Sequence, residues 1–415
     1  MIRGKRLGTR WWKQIWAVGL CCFGLSGCGI EGQSVERFLN DIGKVVSEQN
    51  VPDQMVSADS VENPLDRSEA ADLAETDPIP EQGTSSESSG TGTDIVDGLG
   101  KEYLTGEWAI GQPGDHGMEQ EWLDALCEEL ITGSVRAALL VKDGTIVYEY
   151  YGTGDNTETK YSLYSCTKSV TSAAVGLAIE QELLPGVNSK LADFFPDLAD
   201  PEKEDITIAH LLNLTSGIEW KESVSSGILL EWMLADNQVD YVLNKKMVGQ
   251  PGEAFNYNSG NTQLLAAILE KVTGQSEADY VRENILTPIG IGDVSWWEDA
   301  QGITFGGFGI WLTAREAARF GQLYLNEGRW GEQQIIPADW VKLSTVPQGP
   351  TDFYGYNWWI DVPEPDQQFR MYYASGFGGQ HIIIVPEYQM VAVVMSMGVT
   401  DDSLVSTFKE HLMDW

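Results

Sequence analysis

Between Ser169 and Ile179 the chain reads Ser-Val-Thr-Ser-Ala-Ala-Val-Gly-Leu-Ala-Ile, with no charge and almost no bulk on any face. A surface helix carries a charged stripe opposite its apolar one. This stretch has none, so as a helix it has to be packed on every side against other backbone, with a fold built round it. Ser165 and Lys168 stand immediately before it. Positions i and i+3 share a helix face, which lets the lysine amine lie beside the serine hydroxyl. The first turn of a helix is also the positive end of its dipole and favours negative charge developing on a serine oxygen. Together they read as a nucleophile with its base.

The same spacing recurs at Ser406-Thr407-Phe408-Lys409, after Asp401-Asp402 and before Glu410 and His411. There the neighbours are those of an amphipathic terminal helix, with Lys409 expected to be solvated. Context therefore selects Ser165 and Lys168.

The start of the chain is basic, with Arg3, Lys5, Arg6, Arg10 and Lys13, and continues into the apolar stretch Ile15 to Leu25. That stretch is too short for a stable membrane span and reads as an export signal. Leu25-Ser26-Gly27-Cys28 follows and resembles the lipobox of bacterial lipoproteins. The expectation is a signal peptide over 1–27, a lipid on Cys28, and attachment to the extracytoplasmic face of a bacterial cell membrane. Residues 28–105 are rich in Glu, Asp, Ser, Gly and Thr, which is the chemistry of a mostly disordered linker. Residues 106–415 are left for one catalytic domain. The net charge of -36 argues against a nucleic-acid partner, since phosphate binding needs Lys and Arg. After processing, Cys127 and Cys166 are the cysteines left besides Cys28, expected as two buried free thiols. Neither they nor the 4 scattered histidines have metal-ligand spacing, so no metal is expected.

Val135 to Val141 and Thr145 to Tyr151 alternate around Asp143-Gly144 as a β-hairpin. His381 to Val385 and Met390 to Met395 form a second pair. Helical patterns precede the first (Glu121 to Leu130) and follow the second (Ser403 to Met413), with helical and irregular segments between. The predicted class is α+β: an antiparallel sheet made from both chain ends, backed by terminal helices, with a helical lobe inserted. Two further segments stand out. In Pro251-Gly252-Glu253-Ala254-Phe255-Asn256-Tyr257-Asn258-Ser259, Tyr257 is either a proton carrier beside a cation or a loop tyrosine packed for its ring. In Ala374-Ser375-Gly376-Phe377-Gly378-Gly379-Gln380, the glycines admit a close approach by backbone or ligand.

In this order the three segments resemble the motifs of the penicillin-recognising serine hydrolases, the superfamily of serine β-lactamases, D-alanyl peptidases and related esterases. The first motif, Ser-x-x-Lys, matches Ser165 and Lys168. The second, Tyr-x-Asn in a Pro-Gly-x-x-Phe-x-Tyr frame, matches Pro251, Gly252, Phe255 and Tyr257, with Ser259 in place of asparagine. The third, Lys-Thr-Gly or His-x-Gly, appears as Ala374-Ser375-Gly376 without its basic residue. Ile206 to Gly217, Trp311 to Gly321 and Tyr354 to Trp359 are similar to other stretches of the class C-like branch, where the histidine equivalent to His210 is structural. Tyr-x-Ser followed by Gly-Phe-Gly-Gly-Gln looks most like the members named for 6-aminohexanoate-dimer hydrolase.

The resemblance implies a β-lactamase/transpeptidase-like fold and acyl transfer through an acyl-serine. Ser165 would be the nucleophile, and Lys168 and Tyr257 would share its proton. The backbone N–H groups of Ser165 and Phe377 would form the oxyanion hole, with Ser259, Ser375 and Gly376 lining the substrate site. No metal or organic cofactor is implied. The missing cation beside Ser375 ranks a small ester or linear amide ahead of the alternative, β-lactam or D-alanyl peptide substrates. The rival of another class is a lipid-tethered binding protein of the same fold without turnover.

Overall fold

The computed structural model describes residues 107–131, 133–198, 200–223, 227–398 and 403–415. The export signal, Cys28 and the linker lie outside the described residues. Among the described residues no helix is long and apolar enough to cross a membrane.

The elements that position the site are, in chain order, α1 (Gln120–Leu130), β1 (Val135–Lys142), β2 (Thr145–Tyr151), β3 (Lys160–Ser162), α2 (Thr167–Glu180), α3 (Ile208–Leu212), α4 (Ser259–Thr273), β4 (Ser295–Trp296), β5 (Ile310–Thr313), α5 (Ala314–Leu325), β6 (Trp359–Ile360), β7 (Tyr372–Gly376), β8 (Gln380–Val385), β9 (Met390–Ser396) and α6 (Ser403–Met413). The main sheet runs β2-β1-β9-β8-β7-β6, every neighbour antiparallel. The first strands of the domain thus sit beside the last, as the strand pairs read at both ends predict. Leu139 lies opposite Val393, and Val393 in turn opposite Ile382.

Strand alternation divides the sheet between two cores. Ile382, Ile384, Val391, Val393 and Met395 face the larger core, which holds α2, α4 and α5. Ile383, Val385, Ala392 and Val394 face the smaller one under α1 and α6, where Leu123, Leu126, Phe408 and Leu412 close it. Each such Val, Leu, Ile, Met or Phe side chain contributes about 1.5–3 kcal/mol on burial, so a one-residue slip of the central strands would forfeit much of both cores. The terminal helices are joined directly: Trp122 Nε1 donates to the His411 carbonyl at 2.9 Å. A smaller sheet of β3, β5 and β4 leads from β5 directly into α5, and Leu163 donates its N–H to Ile310 O at 3.0 Å.

Two expectations are corrected. Lys409 is not solvated: its Nζ is 2.9 Å from Asp361 Oδ1 and 3.2 Å from Glu364 Oε1, because the loop before β7 folds back over α6. Of the two free thiols Cys166 is buried, whereas Cys127 is only half-buried at the edge of α1.

Candidate active site

Helix α2 is buried from Thr167 through Ala178. Two of its hydroxyls bond to loops: Ser169 Oγ donates to Asn357 O and Thr171 Oγ1 to Gly306 O, each at 2.7 Å. A Cβ on Gly176 would lie 2.2 Å from Trp340 Cγ, which is why that position carries no side chain. Ser165 precedes the helix, in a single tight 3-10 turn over Tyr164–Cys166 that runs straight into it.

That turn is held from three sides. Leu163 is tied to β5, and Cys166 Sγ donates to Gln380 O at 3.3 Å. The end of β7 rests on it so closely that a Cβ on Gly376 would sit 2.3 Å from Leu163 O and 3.2 Å from Ser165 N. Tyr164 takes φ 45°, a left-handed conformation that costs a side-chain-bearing residue about 1–2 kcal/mol. Its ring meets exposed Phe377 edge-on at 5.6 Å. Among the described residues neither the Ser165 nor the Phe377 amide donates to a backbone carbonyl in a turn, loop or cap. Ser165 N lies beside Gly376, and Phe377 follows directly after it at the end of β7.

Lys168 is 1 % exposed. Its Nζ lies 3.0 Å from Ser165 Oγ, 2.9 Å from Ser259 Oγ and 3.0 Å from Gly307 O, and 4.8 Å from the centre of the Tyr257 ring. Burial brings its amine down to about 8, against a smaller upward pull from Glu222 and the Cys166 thiol. A lysine so placed is part neutral near pH 8 and can accept a proton from the neighbouring hydroxyl.

Tyr257 stands just before α4, whose first turn is capped by Asn258: its side chain accepts from Asn261 N at 3.2 Å. The Tyr257 ring stacks on Trp359 at 5.7 Å and 18°. Trp359 is itself near-parallel to Phe353 and Tyr373. Tyr257 therefore is both packed for its ring and next to a cation.

The structure brings Ser165, Lys168, Tyr257, Ser259 and the end of β7 together. Ser259 differs from its expected place on the substrate wall: it is 1 % exposed and lies behind Lys168, with its hydroxyl engaged by Lys168 and Glu222. Ser375 is half-buried on β7, and Ala374 is buried where the motif has its basic residue. His210 serves the start of α3, its Nδ1 accepting from Thr207 N at 3.2 Å while Thr207 Oγ1 accepts from His210 N at 3.2 Å. Ser406 is exposed on α6, within the element that covers the smaller core.

Sequence reasoning missed Glu222. Its carboxylate accepts from Ser259 N at 3.0 Å and from Ser259 Oγ and Trp220 Nε1. The one signal was an acid five residues beyond the Thr215-Ser216-Gly217 turn, which nothing in the spacing ties to Lys168. Among the described residues no three His, Cys, Asp or Glu side chains are gathered as a metal site.

A beta-lactamase family model matches residues 123–407. The 6-aminohexanoate-dimer hydrolase of Paenarthrobacter ureafaciens is 23% identical over 292 residues, covering 63% of this chain and 72% of that one. Among solved structures, a Bacillus anthracis protein assigned as a 6-aminohexanoate-dimer hydrolase superposes with a TM-score of 0.64 at 23% identity, covering 75% of this chain and 88% of its own. A family VIII carboxylesterase superposes with a TM-score of 0.56 at 18% identity, over 74% and 98% of the two chains.

Proposed function

This chain belongs to the beta-lactamase family, whose fold carries serine hydrolases, and from that premise we propose that it hydrolyses a small ester or linear amide through an acyl-serine on Ser165. The observation that carries the reading is the 3.0 Å contact between Ser165 Oγ and the amine of buried Lys168. Ser165 attacks the carbonyl carbon as Lys168 accepts its proton, with Tyr257 passing the proton on to the leaving group. The Ser165 and Phe377 N–H groups receive the negative oxygen. Water then attacks the acyl-serine and releases the acid.

Substrate preference follows from what borders the edge of β7. Ala374 is an apolar, buried side chain at the position where a cation would hold a substrate carboxylate. Half-buried Tyr257, Trp359 and Phe353 supply an aromatic surface on the other side. Uncharged acyl groups suit this setting better than penicillins or D-alanyl peptides, and the named relatives include an amide hydrolase and a carboxylesterase.

A fluorophosphonate probe followed by peptide mass spectrometry tests the reading. Labelling on the Ser165 peptide is expected, lost in Ser165→Ala and retained in Ser406→Ala. A panel of p-nitrophenyl esters, aminohexanoate oligomers, nitrocefin and D-alanyl peptides then ranks substrates. No labelling, with no turnover on any of these, would favour the non-catalytic binding protein. Leu25-Ser26-Gly27-Cys28 and the basic start support a lipid tether on Cys28 at the extracytoplasmic face. Cys28→Ala should move the protein out of the detergent phase, and an unchanged distribution would exclude that anchor.

A further inference from the structure

Three neighbours surround the Lys168 nitrogen, and their hydrogen-bond capacities differ. Gly307 O can only accept. Ser259 Oγ has one proton to give, and Glu222 takes it. The Glu222 carboxylate, fixed also by Ser259 N and Trp220 Nε1, accepts only. The Ser259 oxygen therefore turns its lone pairs, not its proton, towards Lys168 2.9 Å away.

We infer that Glu222 is a positioning residue for the base: by taking the Ser259 proton it makes Ser259 Oγ an acceptor, and the lone pair of neutral Lys168 is left facing Ser165. A neutral amine has two N–H bonds and one lone pair. The two N–H bonds go to Ser259 Oγ and Gly307 O, and the third direction points at Ser165 Oγ, 3.0 Å away. On attack, the Ser165 proton moves to that lone pair and gives an ammonium. The serine oxygen bonds to the carbonyl carbon, and the carbonyl π pair moves to its oxygen. With the opposite polarity, Ser259 would donate to the lone pair and cap the base. This inference rests on the acyl-serine reading and supplies what that reading lacks, a cause for the direction of the base.

Glu222→Gln is the isosteric test. The amide oxygen can keep the Ser259 and Trp220 N–H bonds, which turns the NH2 group to Ser259 Oγ and frees the serine proton for Lys168. In the full chain, the rate of fluorophosphonate modification of Ser165 is measured across pH for wild type, Glu222→Gln, Ser259→Ala and the double variant. Each single variant should lower the plateau rate roughly 10–100-fold, the worth of one buried charge-assisted hydrogen bond. The double variant should be no slower than the slower single one, because both break one chain of contacts. Glu222→Gln should also shift the acidic limb to lower pH. The carboxylate that favours the ammonium is gone, while Ser165, Ser259, the Tyr257 ring, Gly307 O and the Cys166 thiol still face the amine.

A Glu222→Gln plateau within twofold of wild type, or independent additive losses, would overturn the assignment. If Glu222→Gln does not fold, Ser259→Ala decides, since a wild-type rate there overturns it equally. NMR titration of the Lys168 amine separates this claim from the functional reading. If wild-type Ser165 is never labelled, the hydrolase reading falls. The positioning claim is then judged by whether the Lys168 midpoint drops in Glu222→Gln; an unchanged midpoint refutes it.

Discussion

The Lys168 nitrogen lies against the face of the Tyr257 ring, 4.8 Å from its centre, so lysine and tyrosine meet through the π system as well as by sharing a site. The contact separates what the ring does from what the hydroxyl does. Tyr257→Phe keeps the ring, its stacking on Trp359 and the cation–π contact, and loses only the oxygen. Turnover of an ester should fall by about 10²–10⁴-fold with an unchanged melting temperature, the usual range for a general acid–base group. Turnover within threefold of wild type would leave Tyr257 a packing residue.

Lys168, brought down to about 8 by burial, should set the pH dependence of the proposed acylation. With the neutral amine as the proposed base, kcat/KM should rise from pH 6 and level off above about pH 9, with its acidic midpoint near 8. A pH profile with a flat response between 6 and 9 would assign the proton transfer to another group.

The same shift has a consequence for stability. The folded state holds Lys168 at about 8 and the unfolded chain near its ordinary 10.5, so between these the unfolded state binds more protons and stability rises with pH. Relative to Lys168→Met, wild type should gain up to about 3 kcal/mol across that window. Denaturant unfolding of both at pH 7.5 and 10 checks the sign; an equal difference at both values would show that the amine is not held low.

Glu277 runs in the opposite sense. It is fully buried behind α2, and burial drives its carboxyl up to about 8, outweighing the Thr171 hydroxyl beside it. The unfolded chain ionises near 4.5, so wild-type stability should fall from pH 5 to 7 by up to about 3 kcal/mol. Glu277→Gln should remove that slope and melt higher at neutral pH. A variant that melts lower there would mean the ionised carboxylate is stabilised by the fold.

Gly376→Ala places a methyl group 2.3 Å from Leu163 O. Neither partner is a flexible side chain, so the strand end must move away from the Ser165 turn. Overpacking of this kind costs about 1–3 kcal/mol. The larger effect should be on kcat, at least tenfold, as the Phe377 amide moves with the strand; an unchanged kcat would remove that amide from the oxyanion site.

Much of the fold was legible because its signals are local. The first hairpin alternates around Asp143-Gly144, the second shows as two short apolar runs across Pro386 to Gln389, and the charge-free run after Lys168 could only be an interior helix. The three motif segments likewise carried Ser165, Lys168 and Tyr257 into one site. Glu222 and the Gly306-Gly307 turn were not legible. Gly307 lies 139 residues from the lysine it contacts, and the Glu222 contact to Ser259 spans 37. Ser259 was read from its motif position as substrate-facing, but whether a serine looks outward or back towards a lysine depends on which acid stands behind it. Lys409 shows the same limit on the surface: its partner Asp361 is 48 residues away.

The pairing of Val135 with Ser396 puts the first long strand of the domain against the last. During synthesis β1 and β2 emerge long before their neighbour β9. Closing such a distant pair is entropically slow and gains nothing until the late strand arrives. The Ser165 turn depends on β7 and β8 for two of its three supports, so the serine, the lysine and Tyr257 are all synthesised well before they can be held together. A nascent chain that ends before β7 therefore carries Ser165, Lys168 and Tyr257 without two of the strands that hold the Ser165 turn.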